Sequence, residues 1–114
     1  MPKTDISEQA VTINGDEYSV AVCVLASRNL KPFQLDIKGM YLDYHAPCSD
    51  DFLDFIEHIK RVKAADLDFP IIISPNGVIV DGRHRLAKAL LDGNNTIKVV
   101  QLEEMPTPIS TGGE

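Results

Sequence analysis

The sequence predicts an α+β fold, a small mixed β-sheet packed with two main helices, and three observations carry that prediction. Short runs rich in β-branched residues at 70–74, 78–80 and 96–102 are bounded by turn-forming residues, as strands are. Two segments, 50–65 and 83–92, repeat apolar residues at helical spacing. Asn14-Gly15 separates two strand-forming stretches, 10–13 and 17–24, and tolerates the positive φ angles of a tight hairpin turn.

Each element has its own signal. The chain begins with a polar stretch, 1–8, expected to be flexible. After the hairpin, "ASRNLKPF" reads as a turn or short helix ending before Pro32, because the residue before a proline is pushed out of helical geometry. "FQLDIKGMYLDYH" reads as extended with a break at Lys38-Gly39. In the 50–65 segment Phe52, Phe55, Ile56, Ile59 and Val62 predict one buried stripe. Ser49 or Asp50 is the expected cap, and an acidic start followed by Lys60, Arg61 and Lys63 complements the helix dipole. Pro75-Asn76-Gly77 makes a turn between the strands at 70–74 and 78–80. The last helix is expected to start at Gly82 or Arg83, to turn Leu86, Ala87, Leu90 and Leu91 inward, and to end at Gly93 as a left-handed cap. One domain, 9–104, results, with a flexible tail at 105–114 whose prolines and glycines lack apolar periodicity.

Composition excludes several function classes. At 114 residues the chain is long enough for one core and too short for two. A formal net charge of −6 argues against extended nucleic-acid binding, which needs an excess of Lys and Arg along one face. Two cysteines, Cys23 and Cys48, without framework spacing do not make a disulfide scaffold, so a reduced, cytoplasmic setting is expected. The start lacks the apolar core of a signal peptide, and no run approaches the roughly 20 apolar residues of a membrane span.

Chemistry concentrates at "VIVDGRHRLAKALLDG", residues 78–93. The first N–H groups of a helix have no internal partners and carry positive partial charge, yet Arg83, His84 and Arg85 follow Asp81 and Gly82 there. Of four arginines in the chain, two fall within three residues, which favours a site that expects an anion. Gly82 would let an anion approach the backbone, Arg83 and Arg85 would supply bidentate donors for phosphate oxygens, and His84 would add a donor that is neutral or charged near pH 7. The alternative is structural: Asp81 caps the helix and the arginines are merely solvated.

The stretch "FPIIISPNGVIVDGRHRLAKALLDG" resembles the core of the ParB and sulfiredoxin superfamily, in which a Pro-Ile strand, a tight turn and a D-G-x-H-R-x-x-A segment form a nucleotide-phosphate site. "LKPFQLDI" is similar to the early Leu-Lys-Pro element of these domains, and the resemblance covers roughly residues 20–102. It implies that Gly82, His84 and Arg85 contact the phosphates of a nucleoside triphosphate, ATP or CTP, accompanied by Mg2+, and that Asp81 is catalytic or close to a metal. Sulfiredoxins place a reactive cysteine directly after the glycine, where this chain has Arg83, so sulfinic acid reduction is disfavoured. His84 stands where the first arginine of the chromosome-partitioning box would fall, and the chain ends soon after its last strand, so a small stand-alone ParB-like domain is the closest description. Phosphoryl transfer or nucleotide hydrolysis is the expected reaction if the chain is an enzyme. The alternatives are a non-catalytic regulatory or adaptor domain, with a small-molecule or protein partner, and a weak DNA-associated nuclease.

Other titratable residues have simpler expectations. His45 and Cys48 form an H-x-x-C pair with no second pair at zinc-ligand spacing, so no metal site is assigned. His58 is placed on the polar face of its helix and is expected to be exposed. Asp66 and Asp68, and more remotely Asp36 and Asp43, could supply a loop carboxylate, although aspartate is common in turns for backbone reasons alone.

Overall fold

The computed structural model describes residues 9–39 and 51–111. The expectations for 1–8, for an extended 40–45 and for Asp43, His45, Cys48, Ser49 and Asp50 lie outside them. The fold is α+β: among the described residues there are two sheets and three α-helices, one more helix than predicted.

The hairpin forms as expected. β1 (Ala10–Ile13) and β2 (Asp16–Ser19) are antiparallel, and Asn14 and Gly15 take φ of 53° and 87° between them. The predicted strand over 17–24 stops at Ser19, however, and Val20–Ser27 is helix α1. Ser19 caps it, its Oγ accepting from the Val22 N–H at 3.4 Å, and Val20, Cys23 and Val24 turn the same side toward the core. Burial at i, i+3 and i+4 thus overrides the β preference of the valines.

The second sheet has the order β3-β6-β4-β5, with β3 (Phe33–Asp36), β4 (Ile71–Ile73), β5 (Ile79–Asp81) and β6 (Thr96–Gln101). β4 runs parallel to β6, and the other two pairings are antiparallel. A short 3-10 turn, Ile37–Gly39, follows β3 where a break was expected. The Asp36 carboxylate accepts the Lys38 N–H there at 3.0 Å, which makes Asp36 a turn residue. Buried Ser74 organises the β4–β5 hairpin: its Oγ accepts from the Asn76 and Val78 N–H groups.

Strand alternation divides the core in two. Ile71, Ile73, Ile79, Ile97 and Val99 face helix α3 (Arg83–Leu91), whereas Ile72 and Val80 face α1 and the hairpin. Helix α2 (Phe52–Ala64) packs chiefly on α3. Its cap is Asp51, whose carboxylate accepts the Leu53 N–H at 3.0 Å, one residue beyond the expected pair. The predicted buried stripe is only partly realised: Val62 is buried, but Phe52 is 70% and Phe55 43% exposed, since among the described elements α2 packs chiefly on α3. In α3 the inward residues are Leu86 and Ala89, while Leu90 and Leu91 are exposed, because Arg85 and Lys88 turn a second side toward the loop and helix end preceding β4. The helix closes with Gly93 at φ 77° and with Asn94 and Gly93 N–H groups bonded to the carbonyls of Ala89 and Leu90, the paired geometry of a left-handed helix end. Beyond β6, within the segment expected to be a flexible tail, the Ile109 N–H donates to the Glu17 carbonyl and the Glu17 N–H to that of Ser110, at 2.7 and 2.9 Å.

At Gly82 the sheet passes into α3. Its φ is 112°, and an added Cβ would lie 2.8 Å from Ile71 Cβ and nearer still to Ile71 Cγ2. Both backbone angle and packing therefore require glycine. Gly82→Ala should lower stability by about 3 kcal/mol, combining left-handed strain with overpacking. Gly77→Ala, at φ 87° but with nothing within 4 Å, should cost only about 1 kcal/mol. Urea denaturation of the two variants checks the difference; equal losses would remove the packing component.

Candidate functional site

The residues of the D-G-R-H-R segment do not act as one group. Asp81 ends β5, Gly82 is the N-cap of α3, and Arg83, His84 and Arg85 form its first turn. Among the described residues no side chain caps this helix, so the structural alternative in which Asp81 does so is not what forms. Asp81 instead faces Arg85 one turn on, with Oδ2 3.5 Å from Nη2. Arg85 Nη1 also donates to the carbonyl of Pro70, at the entrance to β4. Arg85 thus ties the start of α3 to the entrance of β4 and the end of β5.

Asp81, Gly82, Arg83 and His84 instead border a cavity of about 770 Å3, together with Arg61 from α2 and an apolar side that includes Val11, Val20 and Val80. Arg61 was expected only to complement the α2 dipole, and tertiary packing brings it to the α3 N-terminus. Among the described residues, two guanidiniums, an imidazole and one carboxylate border the cavity, together with the methyl groups of Val11, Val20 and Val80 and the polar side chains of Gln9 and Thr12. A cationic, N–H-rich end suits an oxyanion, and an apolar wall suits a ring or sugar face.

His84 is further fixed by a residue that sequence reasoning misplaced. His58 is half-buried, not exposed on a polar face, and its Nδ1 lies 3.2 Å from His84 Nε2, with ring centroids 4.8 Å apart. The signal was present: His58 lies three residues after Phe55 and four before Val62, which puts it on their side of the helix. Burial holds the His84 imidazole below its ordinary pKa, reinforced by His58, Arg61 and Arg85 and opposed by Asp81. At neutral pH it is therefore an uncharged donor or acceptor.

Asp66 and Asp68 serve the backbone instead. The Asp66 carboxylate accepts the Asp68 N–H at 2.9 Å, a turn of the backbone, and neither residue borders the cavity. Among the described residues no three His, Cys, Asp or Glu side chains gather into a metal-holding group. No described helix is long and apolar enough to cross a membrane.

The depressed His84 pKa has a consequence for stability. The folded protein binds this proton less readily than the unfolded chain, so the contribution is intact above 6.5, the ordinary histidine value, and is lost as pH falls below it. Denaturation profiles between about pH 7 and 5 should therefore fall more steeply for the wild type than for His84→Asn; parallel profiles would contradict a buried, disfavoured imidazolium. No protein-family model, curated protein or solved structure matches this chain.

Proposed function

We propose that this cytoplasmic chain is a nucleotide-phosphate-binding domain, holding the phosphates of ATP or CTP at the start of α3. One observation carries the proposal: an uncapped helix N-terminus opens into a cavity bordered by Arg61, Arg83 and His84 in a chain whose net charge is −6. A local cationic cluster in an acidic protein is better suited to a small anion than to a polyanionic surface. The apolar wall at Val11, Val20 and Val80 suits the nucleoside part. The resemblance of Asp81–Arg85 to the D-G-x-H-R segment of the ParB and sulfiredoxin superfamily supports the same ligand class.

In this proposal Arg61 and Arg83 neutralise phosphate charge, the α3 N–H groups orient it, and Arg85 positions the turn without touching the ligand. Among the described residues the donor set fits phosphate and does not fit a resident magnesium ion, because the one bordering carboxylate already faces Arg85. The same pairing favours a binding or regulatory domain over a phosphotransferase or nucleotide hydrolase: Asp81 would have to leave Arg85 before serving as a base.

Thermal denaturation with ATP, CTP, GTP and ADP, with and without Mg2+, tests the proposal. A millimolar ligand with a micromolar dissociation constant should stabilise the wild type by about 4 kcal/mol. Arg61→Ala and Arg83→Ala should each weaken binding by about ten- to a hundredfold, the loss of one charge-assisted hydrogen bond. Arg85→Ala should chiefly lower the stability of the free protein. No stabilisation by any nucleotide would overturn the assignment. Phosphate release that disappears in Asp81→Asn while binding persists would show that the domain is an enzyme.

A further inference from the structure

We propose that His58 is a positioning residue of this anion site: paired with His84, it makes the two imidazoles take up one proton when an anion binds, so that affinity rises as pH falls. Proton uptake of this kind presupposes the phosphate site proposed above. The geometry sets its stoichiometry. With His84 Nε2 and His58 Nδ1 3.2 Å apart, a hydrogen bond needs one hydrogen on that axis, from either ring. The neutral pair has it. One further proton enters at a nitrogen outside the axis, and the charged pair keeps its hydrogen bond. A second would place hydrogens on both facing nitrogens and force the rings apart. The intact pair therefore carries one positive charge at most.

Its surroundings decide when that charge appears. His58 and Arg61 from α2 and Arg85 from α3 oppose a proton on His84, as burial does, and Asp81 from β5 favours it. An oxyanion in the cavity that His84, Arg61 and Arg83 border reverses this balance, because the added charge then has a direct counterion. By linkage, a ligand that favours the protonated pair binds more tightly at low pH. His58 does not border the cavity, so it acts only through His84. The same two nitrogens make a poor metal site, since guanidiniums stand beside them and no third ligand joins them among the described residues.

The test is pyrophosphate binding to the full chain by calorimetry from about pH 8 to 5.5, with wild type and His58→Asn, which keeps a hydrogen-bonding group near Nδ1 without a titrating ring. Because the titration of pyrophosphate itself is common to both proteins, the difference in slope isolates the pair. The wild-type affinity should rise more steeply as pH falls, by up to about tenfold per pH unit, the limit for one linked proton. Equal slopes with binding intact would overturn the part assigned to His58 and leave the phosphate site standing. No pyrophosphate binding at any pH would overturn both. Should His58→Asn fail to fold, imidazole NMR of the wild type decides: one proton per pair with a midpoint that moves up on adding pyrophosphate supports the coupling, and an unmoved midpoint refutes it.

Discussion

The approach of Gly82 to Ile71 is the constraint on which the rest of the structure depends. β4 lies inside the four-stranded sheet, and Ile71 is fully buried at its start, so a helix that begins against Ile71 is seated over the centre of the sheet. Only a residue without Cβ reaches that position, and only a positive φ turns the chain from β5 into α3 in so little space. The Gly82 carbonyl then accepts the Leu86 N–H, which starts the helix and commits Leu86 and Ala89 to the core. Glycine here answers a packing demand that exists with or without a ligand, and Gly82 itself borders the cavity.

From that seat, adjacent residues of one helical turn part company. Arg85 points back toward Pro70 and Asp81, where its charge is met by a carboxylate and a carbonyl. His84 turns to α2 and is kept neutral by burial and by its cationic neighbours. Repulsion among three consecutive basic residues is thus reduced from within: Arg85 is paired with Asp81, and His84 is uncharged at neutral pH. The helix N-terminus tolerates this composition because little of the formal charge is expressed at a single point.

The strands at 70–74, 78–80 and 96–102, the Asn14-Gly15 hairpin and both long helices were legible in the sequence because each depends on local spacing or on a turn with a fixed backbone requirement. α1 was not, since its valines prefer strands and only tertiary burial of Val20 and Cys23, with the Ser19 cap, selects helix. Phe52 and Phe55 show the converse error: periodicity reports which side of a helix is apolar, not how much protein lies beneath it. At the site, Asp81 to Arg85 stood out as a sequence cluster, but which of them border the cavity was not encoded there. Arg61 and His58 come from more than twenty residues upstream, and no local pattern connects them to Gly82.

That distance explains why α2 matters to the site more than to the sheet. Its contribution to the core is concentrated at Val62, and its attachment is to α3: the Lys88 ammonium donates to the Ala65 carbonyl at the end of α2, and His58 meets His84 about two turns earlier on α2 and one turn earlier on α3. Lys88 satisfies a carbonyl that the helix end leaves without an internal partner, and so fixes α2 along α3 by polar contacts more than by apolar burial. Such a joint is specific in register but weak in energy, since partly exposed polar contacts each contribute only about 1 kcal/mol. Arg61 and His58 therefore hold their places through a helix that is joined to α3 at the very turn carrying His84. An anion drawing Arg61 and His84 toward the same centre would tighten α2 on α3, and ligand binding and helix docking are in this way parts of one equilibrium.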